Sequence, residues 1–290
     1  MATRVGALVI HGMGFQKKGF SSGLFQAVSK HLAARGARVA WQEIHWADVL
    51  EPRENELWNW MLKAKEPDGS ALPLAWRTVR EFMVHNFGDA IAYHRDQSKS
   101  SYDDIHTVIS RGVGDLKTEL NDPDAPIVVL AHSLGGHMMS NYIWDRQHWT
   151  SVMADTCQPI PTLAAMITFG CNIPLFSLSY PLARPITLPG PGITGPTARA
   201  AARWLNFFDR DDVLGWPLRP LYEKNLAELD AEQAGTVGLI EDRAINVGSA
   251  ATSWNPSAHA AYWEDADFTS PVADYLGTLL DAVDSQDSRS

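Results

Sequence analysis

The sequence predicts an α/β protein, a mostly parallel sheet with helices on both faces. Two observations carry this expectation. Short apolar runs alternate along the chain with longer stretches of helical period. The runs at 5–12, 126–133 and 164–170 are nearly continuous in Val, Ile, Leu, Ala and Met, as strands buried on both faces should be. Strand followed by helix, repeated, implies crossovers between parallel strands.

In chain order the strand candidates are "VGALVIHG" (5–12), "ARVAWQEIHW" (37–46), "PIVVLAHS" (126–133), "AAMITFG" (164–170), "ARWLNFFD" (202–209) and "GLIEDRAINVG" (238–248). Helical spacing falls between them, at 22–36, 101–120, 136–147 and finally 270–284. Two segments break the alternation. Residues of about 50–100 hold two extra helical stretches, "ENELWNWMLKA" and "AWRTVREFMVHNF", around "EPDGSALP". Residues 171–200 are rich in proline and glycine and read as loop. Both follow strands at their C-terminal ends, where open α/β sheets form their ligand crevice, so they are expected to act as a cap. One domain over 1–284 is expected, with a disordered tail at 285–290.

Composition narrows the function. The 290 residues are 45% hydrophobic and 20% charged, as in an ordinary globular protein with a substantial core. The net charge of −10 argues against a nucleic-acid partner and against an anionic membrane surface. The apolar run at the start is too short for a signal sequence, and no stretch approaches a membrane span, so a cytoplasmic location without stable membrane insertion is expected. Cys157 and Cys171 have no metal-ligand spacing and are expected to be reduced and buried. Most of the eleven tryptophans are expected in the core. The composition leaves the oligomeric state open.

The most informative stretch is "PIVVLAHSLGGHMMSNYI" (126–143). Ser133 stands between a strand and a helix, with Ala131 and Gly135 two places away on either side. This is the pattern of a nucleophile elbow, G-x-S-x-G with alanine first. A serine there needs a strained backbone to lift its hydroxyl above the sheet, and small neighbours where strand and helix nearly touch. The N-terminal end of the following helix favours negative charge at that point. "HGMGFQKKG" after the first run also suggests a dinucleotide turn, but Lys17 stands where its third glycine belongs.

The "AHSLGG" elbow together with the early "HGMG" loop resembles the α/β-hydrolases, on the esterase and lipase side. The resemblance runs in order from residue 5 to about 284, with the two insertions matching only in position and without the opening strand pair of larger members. It implies an α/β-hydrolase fold and a serine hydrolase of carboxylic esters, with Met13 and Leu134 supplying the oxyanion-hole N–H groups. His11, His132 and His137 are expected to brace structure. The chain order Ser, acid, His then places the acid in "NFFDRDDVLGWPL" and the base in "SWNPSAHAAYWED". In this family the acid often precedes Pro-Val in a turn. Asp211 fills that place, with Asp212 second and Asp209 third in order of preference. His259 is the one histidine after residue 148, in the loop where the family keeps its base. The expected triad is Ser133, Asp211 and His259, with neither metal nor organic cofactor.

The apolar stretches "LWNWMLKA", "FMVHNF" and "NIPLFSLSYPL" either build a pocket for a short- or medium-chain acyl group or bury the cap on the body. The same scaffold would also suit an acyltransferase, amidase or thioesterase, or a catalytically silent binding protein.

Overall fold

The computed structural model describes residues 4–94, 101–148, 157–248 and 256–287. All six apolar runs are strands: β1 (Val5–Ile10), β2 (Val39–Ile44), β3 (Ile127–His132), β4 (Leu163–Phe169), β5 (Arg203–Asp209) and β6 (Ile240–Ile245). They form one parallel sheet in the order β2-β1-β3-β4-β5-β6. Every residue of β1, β3 and β4 is buried, whereas in the edge strand β6 only Ile240 is buried and Glu241 and Ala244 are exposed.

The helices are α1 (Ser22–Leu32), α2 (Ala47–Leu62), α3 (Arg77–Phe82), α4 (Gly88–Ala92), α5 (Ser101–Leu120), α6 (Leu134–His148), α7 (Ile173–Phe176), α8 (Pro196–Ala201), α9 (Arg219–Glu223), α10 (Ala231–Leu239) and α11 (Ala266–Asp287). In α5 the buried Ile105, Ile109, Val113, Leu116 and Leu120 recur at the three- and four-residue spacing that lines one helix face. Asn121, at a φ of 49°, closes it in the left-handed conformation common just past a helix end. The sequence reading missed α10, whose start is marked by Asp230 accepting the Gln233 N–H at 2.8 Å.

Strand residues feed two cores in alternation. Leu8, Ile10, Val129 and Met166 pack with Ile105 and Ile109 of α5 and with Met138 and Tyr142 of α6. Ala7, Val9, Val128, Leu130 and Ile167 pack on the other face with Leu24 and Val28 of α1 and with Leu276 and Leu279 of α11. Each such aliphatic side chain contributes about 1.5–3 kcal/mol by leaving water. Cys157 and Cys171 are free and buried. Trp46 and Trp204 are fully buried, but Trp60, Trp76 and Trp216 are exposed, so the tryptophans do not all serve the core.

The chain leaves β1 for the edge strand β2 and returns across β1 to β3. That reversal opens a crevice beyond the C-terminal ends of β1 and β3. The first insertion comprises α2, α3, a π-helical turn (Met83–Phe87) and α4; the second holds α7 and α8. Residues 95–100 of the first insertion and 288–290 of the expected tail lie outside the described residues. Ser285 to Asp287, read from sequence as tail, continue α11. Among the described residues no helix is long and apolar enough to cross a membrane.

Candidate active site

Ser133 follows β3 directly and leads into α6 with a φ of 51°. A left-handed non-glycine residue costs on the order of 1–3 kcal/mol, so its surroundings must enforce it. Its N–H donates to the Phe169 carbonyl at 3.0 Å. Gly135 lets α6 pass the end of β1, because a Cβ there would stand 2.5 Å from the His11 carbonyl oxygen.

His259 meets this serine from the far end of the chain. Its Nε2 lies 2.8 Å from Ser133 Oγ, and its Nδ1 lies 2.9 Å from both carboxylate oxygens of Asp212. A carboxylate only accepts, so Nδ1 carries the proton and Nε2 is left to accept from the serine hydroxyl. Gly170, at the end of β4 with a φ of 55°, completes the fit: a Cβ there would come within 3.1 Å of Asp212 Oδ2 and His259 Nδ1.

The carboxylate beside the histidine is therefore Asp212, and the preference for Asp211 is corrected. Asp209 accepts the Asp211 N–H on Oδ1 and the Val247 N–H on Oδ2, which fixes the turn after β5. That turn points Asp212 inward and leaves Asp211 exposed on an open surface depression with Arg210 and Asp267. Burial pushes the Asp212 carboxyl up, but the hydrogen bond and charge of His259, the Leu214 N–H and the Tyr262 hydroxyl together hold it below its ordinary value.

Tyr262 is a residue the sequence reading quoted without giving it a role. It lies three residues after His259 in a 3₁₀-helix (Pro256–Glu264), and positions i and i+3 eclipse in that geometry. Both side chains consequently face Asp212. The Tyr262 hydroxyl accepts the Asp209 N–H at 2.8 Å and donates to Asp212 Oδ2 at 2.9 Å. Burial, then the charge of Asp212, keep this phenol protonated and able to donate.

The other histidines brace. The His132 ring lies tilted at 35° against His259 with centroids 4.8 Å apart, and its Nε2–H donates to the His259 carbonyl at 2.8 Å. Burial, then the adjacent His259, lower His132 to about 3, so it stays neutral and does not oppose a charged His259. His137 stacks on Phe176, and burial lowers it to about 3 as well. His11 donates from Nδ1 to the Gly12 carbonyl at 2.7 Å and accepts the Trp46 N–H on Nε2 at 3.1 Å.

Met13 lies half-buried in the loop after β1, and its neighbour Gly12 abuts the serine: a Cβ there would stand 2.6 Å from Ser133 Cβ. Leu134 is the first residue of α6, so its N–H has no partner within the helix. The three apolar stretches divide. Trp60 (64% exposed), Phe82 (55%) and Leu178 (87%) face outward, whereas Ile173, Phe176 and Tyr180 line a cavity of about 550 Å³ that also takes in Tyr93, His137 and Asn141.

No family model and no curated protein matches the sequence. Among solved structures, a cutinase-like protein from Cryptococcus sp. is similar at 11% identity and a TM-score of 0.42, with 96% of each chain covered. A hormone-sensitive lipase from a metagenome library is similar at 12% identity and a TM-score of 0.42, covering 97% of this chain and 78% of that one. The chain thus has a parallel α/β fold, with its strands in the order β2-β1-β3-β4-β5-β6 and a serine at the strand–helix junction after β3.

Proposed function

We propose that the protein is a serine hydrolase that cleaves carboxylic esters of short or medium acyl chain through Ser133, His259 and Asp212. The observation that carries this reading is the single imidazole bridging the serine Oγ and the buried carboxylate, 126 residues after that serine. Serine is a weak nucleophile until a base removes its proton.

In the proposed reaction His259 Nε2 takes the Ser133 proton as Oγ bonds to the acyl carbon. The carbonyl pair moves onto oxygen, where the N–H groups of Met13 and Leu134 receive it; one such donor contributes ~10²–10³ in rate. Asp212 holds the tautomer and balances the imidazolium. The tetrahedral intermediate collapses, the alcohol leaves with the proton from Nε2, and water releases the acid by the same steps. The 550 Å³ cavity is of ligand size and reaches His137, four residues past the serine on α6, but its lining stops short of Ser133, so an acyl chain held there meets the serine only after the groups between them shift. Ser133 itself has no exposed surface, so productive binding requires the covering groups to shift.

Ser133→Ala is expected to reduce p-nitrophenyl butyrate hydrolysis to background and to abolish labelling by a fluorophosphonate probe. Retained hydrolysis in that variant would falsify the assignment. Partition of the acyl group between water and added alcohol, amine or thiol acceptors separates hydrolase from transferase.

A further inference from the structure

The loop that carries Met13 is held from both sides, and only one side belongs to the sheet. The Gly12 carbonyl and the Met13 N–H belong to one planar trans peptide, so they point in opposite directions. His11 fixes that carbonyl, and the backbone N–H and the indole of Trp46 in turn hold His11. The next peptide is fixed by a residue of the first insertion: the Gly14 N–H donates to Asp89 Oδ2 at 2.7 Å. Asp89 sits on α4 and is 3% exposed.

We propose that Asp89 is a positioning residue for the oxyanion loop, so that the first insertion sets the geometry in which Met13 receives the developing charge. This rests on the ester-hydrolase reading of Ser133. Asp89 does not act alone, because Glu54 of α2 packs against the start of α4: a Cβ on Gly88, next to Asp89, would stand 3.0 Å from Glu54 Oε1, and the two carboxyls act on each other's charge. Two ionised carboxylates offer no donor to each other, and Glu54 Oε1 is buried without a partner unless one of the pair is protonated. One shared proton resolves this. The Glu54 Oε2 also faces His85 Nδ1 at 3.3 Å, and Glu51 of α2 adds a further negative charge nearby.

Burial and then the adjacent Glu54, against the Gly14 N–H and His85, raise the Asp89 carboxyl above its usual range. Burial chiefly, with Glu51 adding to it and the Asp89 hydrogen bond opposing, raises Glu54 also. Because both are raised, the pair keeps its proton under acidic and neutral conditions and loses it as pH rises. Two buried negative charges then repel, and α4 is driven from the loop it holds.

The experiment compares wild type, Asp89→Ala, Asp89→Asn and Glu54→Gln on p-nitrophenyl butyrate from pH 6 to 9.5, with thermal melts beside it. Asp89→Ala is expected to lower kcat roughly 10- to 100-fold with KM changed less than about threefold, since a displaced oxyanion donor acts on the transition state. Asp89→Asn keeps an acceptor for Gly14 and a donor for Glu54, so it is expected within about threefold of wild type. Glu54→Gln donates to an ionised Asp89. Both amide variants are expected to lose an alkaline fall in kcat that wild type shows. An Asp89→Ala enzyme with wild-type kcat, an Asp89→Asn enzyme as weak as Asp89→Ala, or an alkaline profile unmoved by both amides overturns the proposal. If Asp89→Ala does not fold, the two amide variants decide. Loss of activity in Ser133→Ala with Asp89→Ala unaffected removes this clamp alone, whereas no hydrolysis and no probe labelling in wild type removes both readings.

Discussion

The two flanks of Ser133 are built differently. On the base side, Asp212 is held at once by His259, Leu214 and Tyr262, while Tyr262 and Asp209 lock the turn between them. These groups come from β5 and from the segment leading into α11, which also close the core. On the other side, the Met13 loop hangs on His11 and on one carboxyl supplied by an insertion whose outer face is apolar and exposed. The base side ties chemistry to the stability of the fold. The Met13 side depends instead on an insertion that reaches the core through a few residues, Leu50 and Tyr93 among them.

The largest break in that contrast is expected at the acid. Asp212→Asn presents a donor or a neutral acceptor to His259 Nδ1 and should lower kcat by about 10⁴, by analogy with triads whose tautomer is disturbed. Asp211→Asn, one residue away and exposed, should stay within about twofold of wild type. Steady-state kinetics on both variants separates the two carboxyls, and equal losses would return Asp211 to the site.

A smaller effect on rate, joined to one on stability, is expected from Tyr262→Phe. It removes a donor from Asp212 and leaves the buried Asp209 N–H without its acceptor. Leaving such a group unpaired costs about 1–3 kcal/mol, and kcat should drop roughly tenfold as Asp212 loses one of its anchors. Calorimetry and kinetics together check this, since loss of rate alone would uncouple the base side from the fold.

The least effect is expected on the outer face of the first insertion. Trp60→Ser, at a position 64% exposed, should change stability by less than about 0.5 kcal/mol and leave kcat on a small, soluble ester unchanged. A thermal melt that moves by several degrees would show that this face is covered in solution.

Much of this was legible from residues alone, and for a physical reason in each case. The strands β1, β3 and β4 stood out because parallel strands buried on both faces must be apolar along their whole length, and the edge strands β2 and β6 by their place in the alternation of short runs and helices. Ser133 was singled out by the small residues that a strained strand-to-helix junction requires and His259 by being the single histidine late in the chain, and the fold brings the two within 2.8 Å. Asp212 was not separable from Asp211, since neighbours in a turn point to opposite sides and only the Asp209 hydrogen bonds decide which turns inward. Tyr262 was hidden because its role depends on a 3₁₀ rather than an α spacing from His259.

The order of apolar and polar residues by itself determined a parallel α/β sheet and the serine at its crest, because burial and backbone strain leave local marks. Tertiary structure alone decided which carboxylate faces the imidazole and which insertion residue grips the Met13 loop. Those contacts join residues 47 and 75 positions apart, where no local pattern constrains which side chain arrives.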